Sequence, residues 1–185
     1  MVETEGLNSL LLRVFFETAD GGYYSPFIND CFELLPIPEF IGRFSRIELA
    51  KLYTYSRIPC RCSVCYLSKY IPTDYVLVGG SSYAVSEIIA HWDPRLDIGV
   101  YADYWRHAGG RIPRSFKECR GNCYLFFVAG LAKYPKGFFD RPRGFTEIRR
   151  TFMRVERGIY VVAYMRVDEV IDLTELVSKY NIDIH

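Results

Sequence analysis

No stretch of about 18 uncharged apolar residues occurs, so no membrane-spanning helix is expected. Net charge is nearly absent too. Twenty-three basic side chains stand against 22 acidic ones, leaving +1. That balance excludes the strongly basic footprint by which proteins hold duplex DNA through bulk electrostatics. The opening Met1-Val2-Glu3-Thr4-Glu5 lacks a basic segment followed by an apolar run, so no secretory signal is expected and the protein reads as cytoplasmic. There is no Gly-x-x-x-x-Gly-Lys-Ser/Thr pattern, hence no phosphate loop of that kind. Internal repeats, low-complexity tracts and linkers are missing as well, and 185 residues fit one domain. Lysine is scarce: only 6 of the 23 basic residues are Lys and the rest are Arg. Arg carries a planar fork that suits phosphate and stacks on rings, so a local Arg-lined pocket is compatible with a neutral chain.

What the sequence has in excess is aromatic side chains, 16% of the total, with 15 Tyr and 13 Phe. Rings of this kind favour sheets and fill cores. They also form stacking platforms for nucleic-acid bases. The 6 cysteines fall into Cys60-x-Cys62-x-x-Cys65, Cys119-x-x-x-Cys123 and a separate Cys31. Three states are open to them. Free thiols behave as small hydrophobes. Disulfides are rare inside cells but occur in intracellular proteins of hyperthermophiles. A structural zinc would draw its ligands from Cys60, Cys62, Cys65, Cys119 and Cys123, though the spacing is not that of two regular pairs.

Along the chain, Ser9 to Phe16 reads as a buried strand. The turn Asp20-Gly21-Gly22 leads toward an extended piece from Cys31 to Pro38, as in an opening hairpin. Ser45 with Glu48 has the capping-box spacing for a helix toward Tyr55. Tyr75 to Val78 reads as a short strand ended by Gly79-Gly80, followed by a helix from Ser81 or Ser82 to Ala90. Tyr101 to Arg120 reads as a long aromatic and cationic loop. Cys123 to Ala129 is the strongest strand pattern, and 148–156 and 159–167 are read as two further strands turned at Arg157-Gly158. A closing helix is expected from Asp172. The sum is an α+β domain with a strongly bent mixed or antiparallel sheet, partly closed into a small barrel that hides its edges, and a few short helices.

Several landmarks follow one another in a recognisable order. They are Leu12-Arg13, Asp20-Gly21-Gly22, Ser25-Pro26, Leu35-Pro36-Ile37-Pro38, His91-Trp92-Asp93-Pro94-Arg95-Leu96-Asp97, Tyr124-Leu125-Phe126-Phe127 and Ile159 through Val167. In that order, over about residues 11–173, the chain resembles the nucleotide modification associated domain, type three, of phage, bacterial and archaeal proteins. The resemblance implies a place beside enzymes that modify nucleotides or DNA bases rather than a defined reaction. Two departures stand out. Asn122-Cys123 replaces the Gly-Asp that the family tends to place before the apolar strand, and Tyr101 to His107 replaces its Gln- and His-bearing loop. The late strand pattern also resembles PUA-like domains, which bind RNA or modified bases; that is a likeness of fold.

Two groups of residues carry candidate chemistry. Tyr101, Tyr104, Trp105, Arg106, His107 and Arg111 combine rings with guanidinium groups, the equipment for holding a single-stranded or flipped base and its phosphate. Packing of the same rings over the core is the alternative. Arg13, Asp20, His91 and Asp93 would supply a cation, carboxylates and a general base if brought together. Here the alternative is structural, with Asp93-Pro94 starting a turn. The leading expectation is a binding module for a nucleotide or nucleic acid, recognising a modified or flipped base. An enzyme acting on a nucleotide, and a cysteine-stapled or zinc-bound interaction protein, are the other two readings.

Overall fold

The computed structural model describes residues 8–12, 22–28, 30–43, 47–91, 96, 99, 101 and 123–171. In chain order its strands are β1 (Asn8–Leu12), β2 (Ser25–Ile28), β3 (Cys31–Phe32), β4 (Pro38–Phe40), β5 (Tyr75–Val78), β6 (Ser81–Ala84), β7 (Ile88–Ala90), β8 (Cys123–Ala132) and β9 (Arg157–Val167). A helix spans Phe145–Phe152, and the remaining helical pieces are a single α-turn at Ile47–Ala50 and short 3-10 turns.

Strand β8 organises the main sheet. Along its whole length it pairs antiparallel with β9. Its first half also pairs parallel with β1, from Asn8↔Cys123 to Leu12↔Phe127, and its end pairs parallel with β2 at Ser25↔Leu131. β3 extends β2, giving a mixed five-stranded sheet, while β4–β7 and β5–β6 form separate antiparallel pairs. A bulge falls where Phe127↔Ala163 gives way to Val128↔Val161.

Successive residues of a strand point to opposite faces. On one face of β8, Cys123, Leu125, Phe127, Ala129 and Leu131 build a core with Leu12 and Val167. A second core gathers Tyr23, Leu35, Tyr55, Val76 and Ile148. The helix joins this second core because Phe145, Ile148 and Phe152 recur at helical spacing and are all buried. Its N-terminus lacks a side-chain cap of its own; instead Asp74 Oδ1 accepts from the Phe145 N–H at 2.8 Å. At the other end Arg157 donates to the Phe152 carbonyl at 2.9 Å. An anion at the N-terminus and a cation at the C-terminus both suit the helix dipole.

Among the described residues the architecture is mostly β with one helix, and no barrel closes. Four sequence expectations need correction. The segment from Ser81 to Ala90 is not a helix: Gly79 and Gly80 adopt φ of 58° and 85° and turn β5 tightly back into β6. Two consecutive positive-φ residues are what a two-residue hairpin uses. The region 148–156 is not a strand, because its apolar residues follow the helical rather than the alternating period. Arg157-Gly158, read as a turn, already belongs to β9. Finally, β1 does not form a hairpin with the Cys31–Pro38 piece: β1 runs parallel to β8, β3 forms its hairpin with β2, and β4 pairs with β7. The expected closing helix lies outside the described residues.

Phe127 and Ile148 are both 0% exposed. Replacing Phe127 with Ala should lower unfolding stability by about 3–5 kcal/mol and replacing Ile148 by about 2–5 kcal/mol, since a buried large-to-small change leaves a cavity. Denaturant unfolding of the two variants measures this. A loss below about 1 kcal/mol at either position would contradict the core assignment.

Candidate functional site

The face of β8 opposite its core carries Tyr124 and Phe126. The register sets Ser9 and Leu11 of β1 beside them on one side, and Arg166 and Tyr164 of β9 on the other. Tyr124 and Phe126 lie 6.4 Å apart between ring centroids, and Tyr164 is 6.4 Å from the first and 6.2 Å from the second. Leu11 is 62% exposed and Tyr164 67% exposed. Further along β8 the same face is closed over. Tyr24 sits so tightly on Gly130 that a Cβ there would lie 2.9 Å from the ring, and Phe152 packs on Tyr24 at 4.8 Å. The result is a sheet face sealed at one end and lined at the other by three neighbouring rings, an aliphatic side chain and a guanidinium. Arg166 pairs with Asp168 at 3.1 Å but remains largely in water.

A second concentration of chemistry surrounds Glu33, which is 0% exposed. Its carboxylate accepts from the backbone N–H of Arg61 at 2.7 Å and of Cys62 at 2.8 Å. Disulfides Cys31–Cys62 and Cys60–Cys65 brace the same loop, and Cys123 is disulfide-bonded as well. Of the three thiol states open to the sequence, the bridged one is present. Buried charges persist when they are hydrogen-bonded, and a carboxylate held by two backbone donors meets that condition. The Arg61 guanidinium does not turn toward Glu33 but lies over the Phe32 ring, 4.9 Å from its centroid.

His91 follows β7 and faces Glu39 of β4. Its Nδ1 lies 2.9 Å from the Glu39 carboxylate, and its backbone N–H donates to Ile37. Glu39 opposes Ile89 in the antiparallel register, so His91 is its diagonal neighbour. The described carboxylate partner of His91 is therefore Glu39, a residue that sequence reasoning did not single out. A carboxylate on Nδ1 orients the imidazole. Tyr101 meets Phe127 edge-on at 5.5 Å and packs against the β8 core. Arg13, Asp20, Asp93, Tyr104, Trp105, Arg106, His107, Arg111 and Cys119 lie outside the described residues.

A dent of about 270 Å³ opens beside Lys69, Asp140 and Arg141. Its cations already have partners. Lys69 approaches Asp140 at 3.9 Å, and Arg141 and Arg143 share Glu147. It is a weak candidate for an anion site.

Comparison of the chain with protein-family models, with curated proteins and with solved structures finds no match.

Burial raises the Tyr70 pKa; the nearby charges of Glu33 and Asp140 add to the effect, and a hydrogen bond with Ser63 opposes it. A phenol raised above its unfolded value of about 10 binds its proton longer in the folded state. Its stability contribution is thus complete below pH 10 and lost as pH rises through the folded value. Urea unfolding should show a fall in stability as pH rises above about 10 that Tyr70→Phe reduces. Equal slopes in both proteins would rule out this linkage.

Proposed function

We propose that this chain is a nucleotide- or nucleic-acid-associated binding module whose ligand bases stack on Tyr124, Phe126 and Tyr164. The observation that carries the reading is the row of rings on the sheet face, Tyr164 exposed and Tyr124 and Phe126 half-buried, with Arg166 in register beside Tyr124. Every base offers a π-face, so such a platform accepts unpaired bases with little regard to sequence. Duplex bases are buried in their own stack and cannot use it, which favours single strands or an extruded base. The ordered likeness to type-three nucleotide modification associated domains points to the same chemistry and belongs to this proposal. So does the segment of Tyr104, Trp105, Arg106, His107 and Arg111, which would supply further rings and cations.

An enzyme acting on a nucleotide is the second reading. The His91–Glu39 pair favours it, because a carboxylate-oriented imidazole can serve as a general base. Turnover of a nucleotide substrate lost on His91→Gln would mark that reading as the better one.

Binding of a fluorescent single-stranded oligonucleotide, followed by anisotropy at low salt, tests the first reading. Tyr164→Ala and Phe126→Ala should each weaken binding by about tenfold or more, the effect of losing one stacked base. With few cations on the face, the salt dependence should be shallow, below about two on a log–log plot. Absence of binding at low salt, or unchanged affinity in both variants, would refute the sheet-face platform. Loss on Trp105→Ala and Arg106→Ala alone would move the site to the 101–111 segment.

A further inference from the structure

The loop that carries Cys60, Cys62 and Cys65 is joined to the β3 region by one bridge and closed on itself by another. Cys31–Cys62 ties it across a sequence separation of 31, and Cys60–Cys65 closes it across 5. Between the two bridges the chain exposes Ser63 and Val64 to solvent, and Cys60 and Cys65 are half-buried. The short bridge is therefore within reach of a reductant. Beneath it lies the buried carboxylate of Glu33, and ligand atoms of Glu33, Cys60 and Cys65 all fall within 4.8 Å of one another.

Each Glu33 oxygen accepts one backbone hydrogen bond. A carboxylate oxygen has two lone-pair sites, so each retains one for another partner. Among the described residues, no Lys or Arg is paired with this buried anion. The carboxylate lies within 4.8 Å of two sulfurs that, as thiolates, are soft anionic ligands. Two thiolates and a carboxylate, with water as the fourth ligand, suit a tetrahedral thiophilic cation, with Zn–S near 2.3 Å and Zn–O roughly 2.1 Å, which sets ligand atoms roughly 3.6–3.8 Å apart. The present spread of 4.8 Å needs only a local contraction of the carboxylate and separation of the sulfurs.

We propose that, once the Cys60–Cys65 bridge is reduced, Cys60, Cys65 and Glu33 form a site for a thiophilic divalent cation such as zinc. The loop is then held either by a sulfur–sulfur bond or by a metal ion at the same place. The chemistry balances. A dithiol reductant gives two electrons and two protons to the bridge, becoming a disulfide itself and leaving two cysteine thiols. The cation then displaces those two protons as it binds the thiolates and the standing carboxylate. This set differs from that drawn from spacing alone. It adds Glu33, which is distant in sequence, and omits Cys119, Cys62, which is bridged to Cys31, and Cys123, which belongs to the β8 core.

The test uses the full chain, reduced anaerobically and titrated with cobalt(II) as a spectroscopic probe. The reduced protein should take up one equivalent, with a sulfur-to-cobalt band in the near ultraviolet of an intensity fitting two thiolates. Tetrahedral d–d absorption should accompany it, and zinc should erase both. The oxidised protein should take up none. Cys60→Ser with Cys65→Ser should abolish the bands, Cys31→Ser with Cys62→Ser should keep them, and Glu33→Gln should weaken binding by about tenfold or more. The proposal is overturned if the reduced chain binds no stoichiometric metal, folded or not. It is equally overturned if the Cys60/Cys65 double variant binds as well as the parent, or if band intensity requires four thiolates.

Discussion

The alternation of β8 is the constraint from which the rest of the structure follows. One strand bonds to three others, so its register fixes theirs. Because side chains alternate at a period of two, a shift by one residue would exchange the two faces entirely. Cys123, Leu125, Phe127, Ala129 and Leu131 would then lose their core, and Tyr124 and Phe126 would be driven into it. The same alternation that buries the first set puts the rings of the second on the other face. Gly130 has its place in this scheme: without a Cβ it lets Tyr24 rest on the strand, closing one end of the outer face and leaving the other.

Around this sheet the second core depends on polar ties that join distant segments. Ser25, fully buried, accepts the Leu35 N–H at 3.0 Å, and Tyr55 donates to the Pro36 carbonyl at 2.6 Å. Glu33 holds the cysteine loop through two backbone donors. Losing one partner of such a buried pair is costly because the other remains desolvated. Covalent bridges at the same place shorten the accessible length of the unfolded chain, which adds stability independently of those hydrogen bonds. The loop has little regular structure, and these two kinds of tie take the place of a ladder.

Legibility in the sequence followed the length of the periodic signal. Tyr75–Val78, Cys123–Ala132 and Arg157–Val167 are strands where alternating or continuous apolar residues pointed to strands, and the β class of the sheet was readable from them. Helix and strand were exchanged at 148–156 because three apolar residues at helical spacing lie among a short mixed run. At Gly79-Gly80 the pair of glycines signalled a turn, but the segment after it was assigned by its serines, which cap helices and occupy strands alike. Pairing was the least legible feature. Nothing local reveals that β1 and β2 both run parallel to β8, because parallel partners are chosen by contacts far apart in sequence. The ring face shared this fate. Tyr124, Phe126 and Tyr164 were visible as aromatic residues of strands, but only the Phe126↔Tyr164 register makes them one surface. Glu39 was missed beside His91, and Glu33 beneath the cysteines, for the same reason.

On the proposed reading, near-neutrality and the ring face belong together. A protein with a net charge of +1 has almost no long-range field to draw a polyanion toward it. Affinity must then come from short-range contact, and stacking on rings is a contact of that kind, undiminished by salt in the way phosphate pairing is. Rings on a sheet are also held in place before any ligand arrives, since the pairing of β8 with β9 fixes their backbones. Little conformational entropy is left to lose on binding.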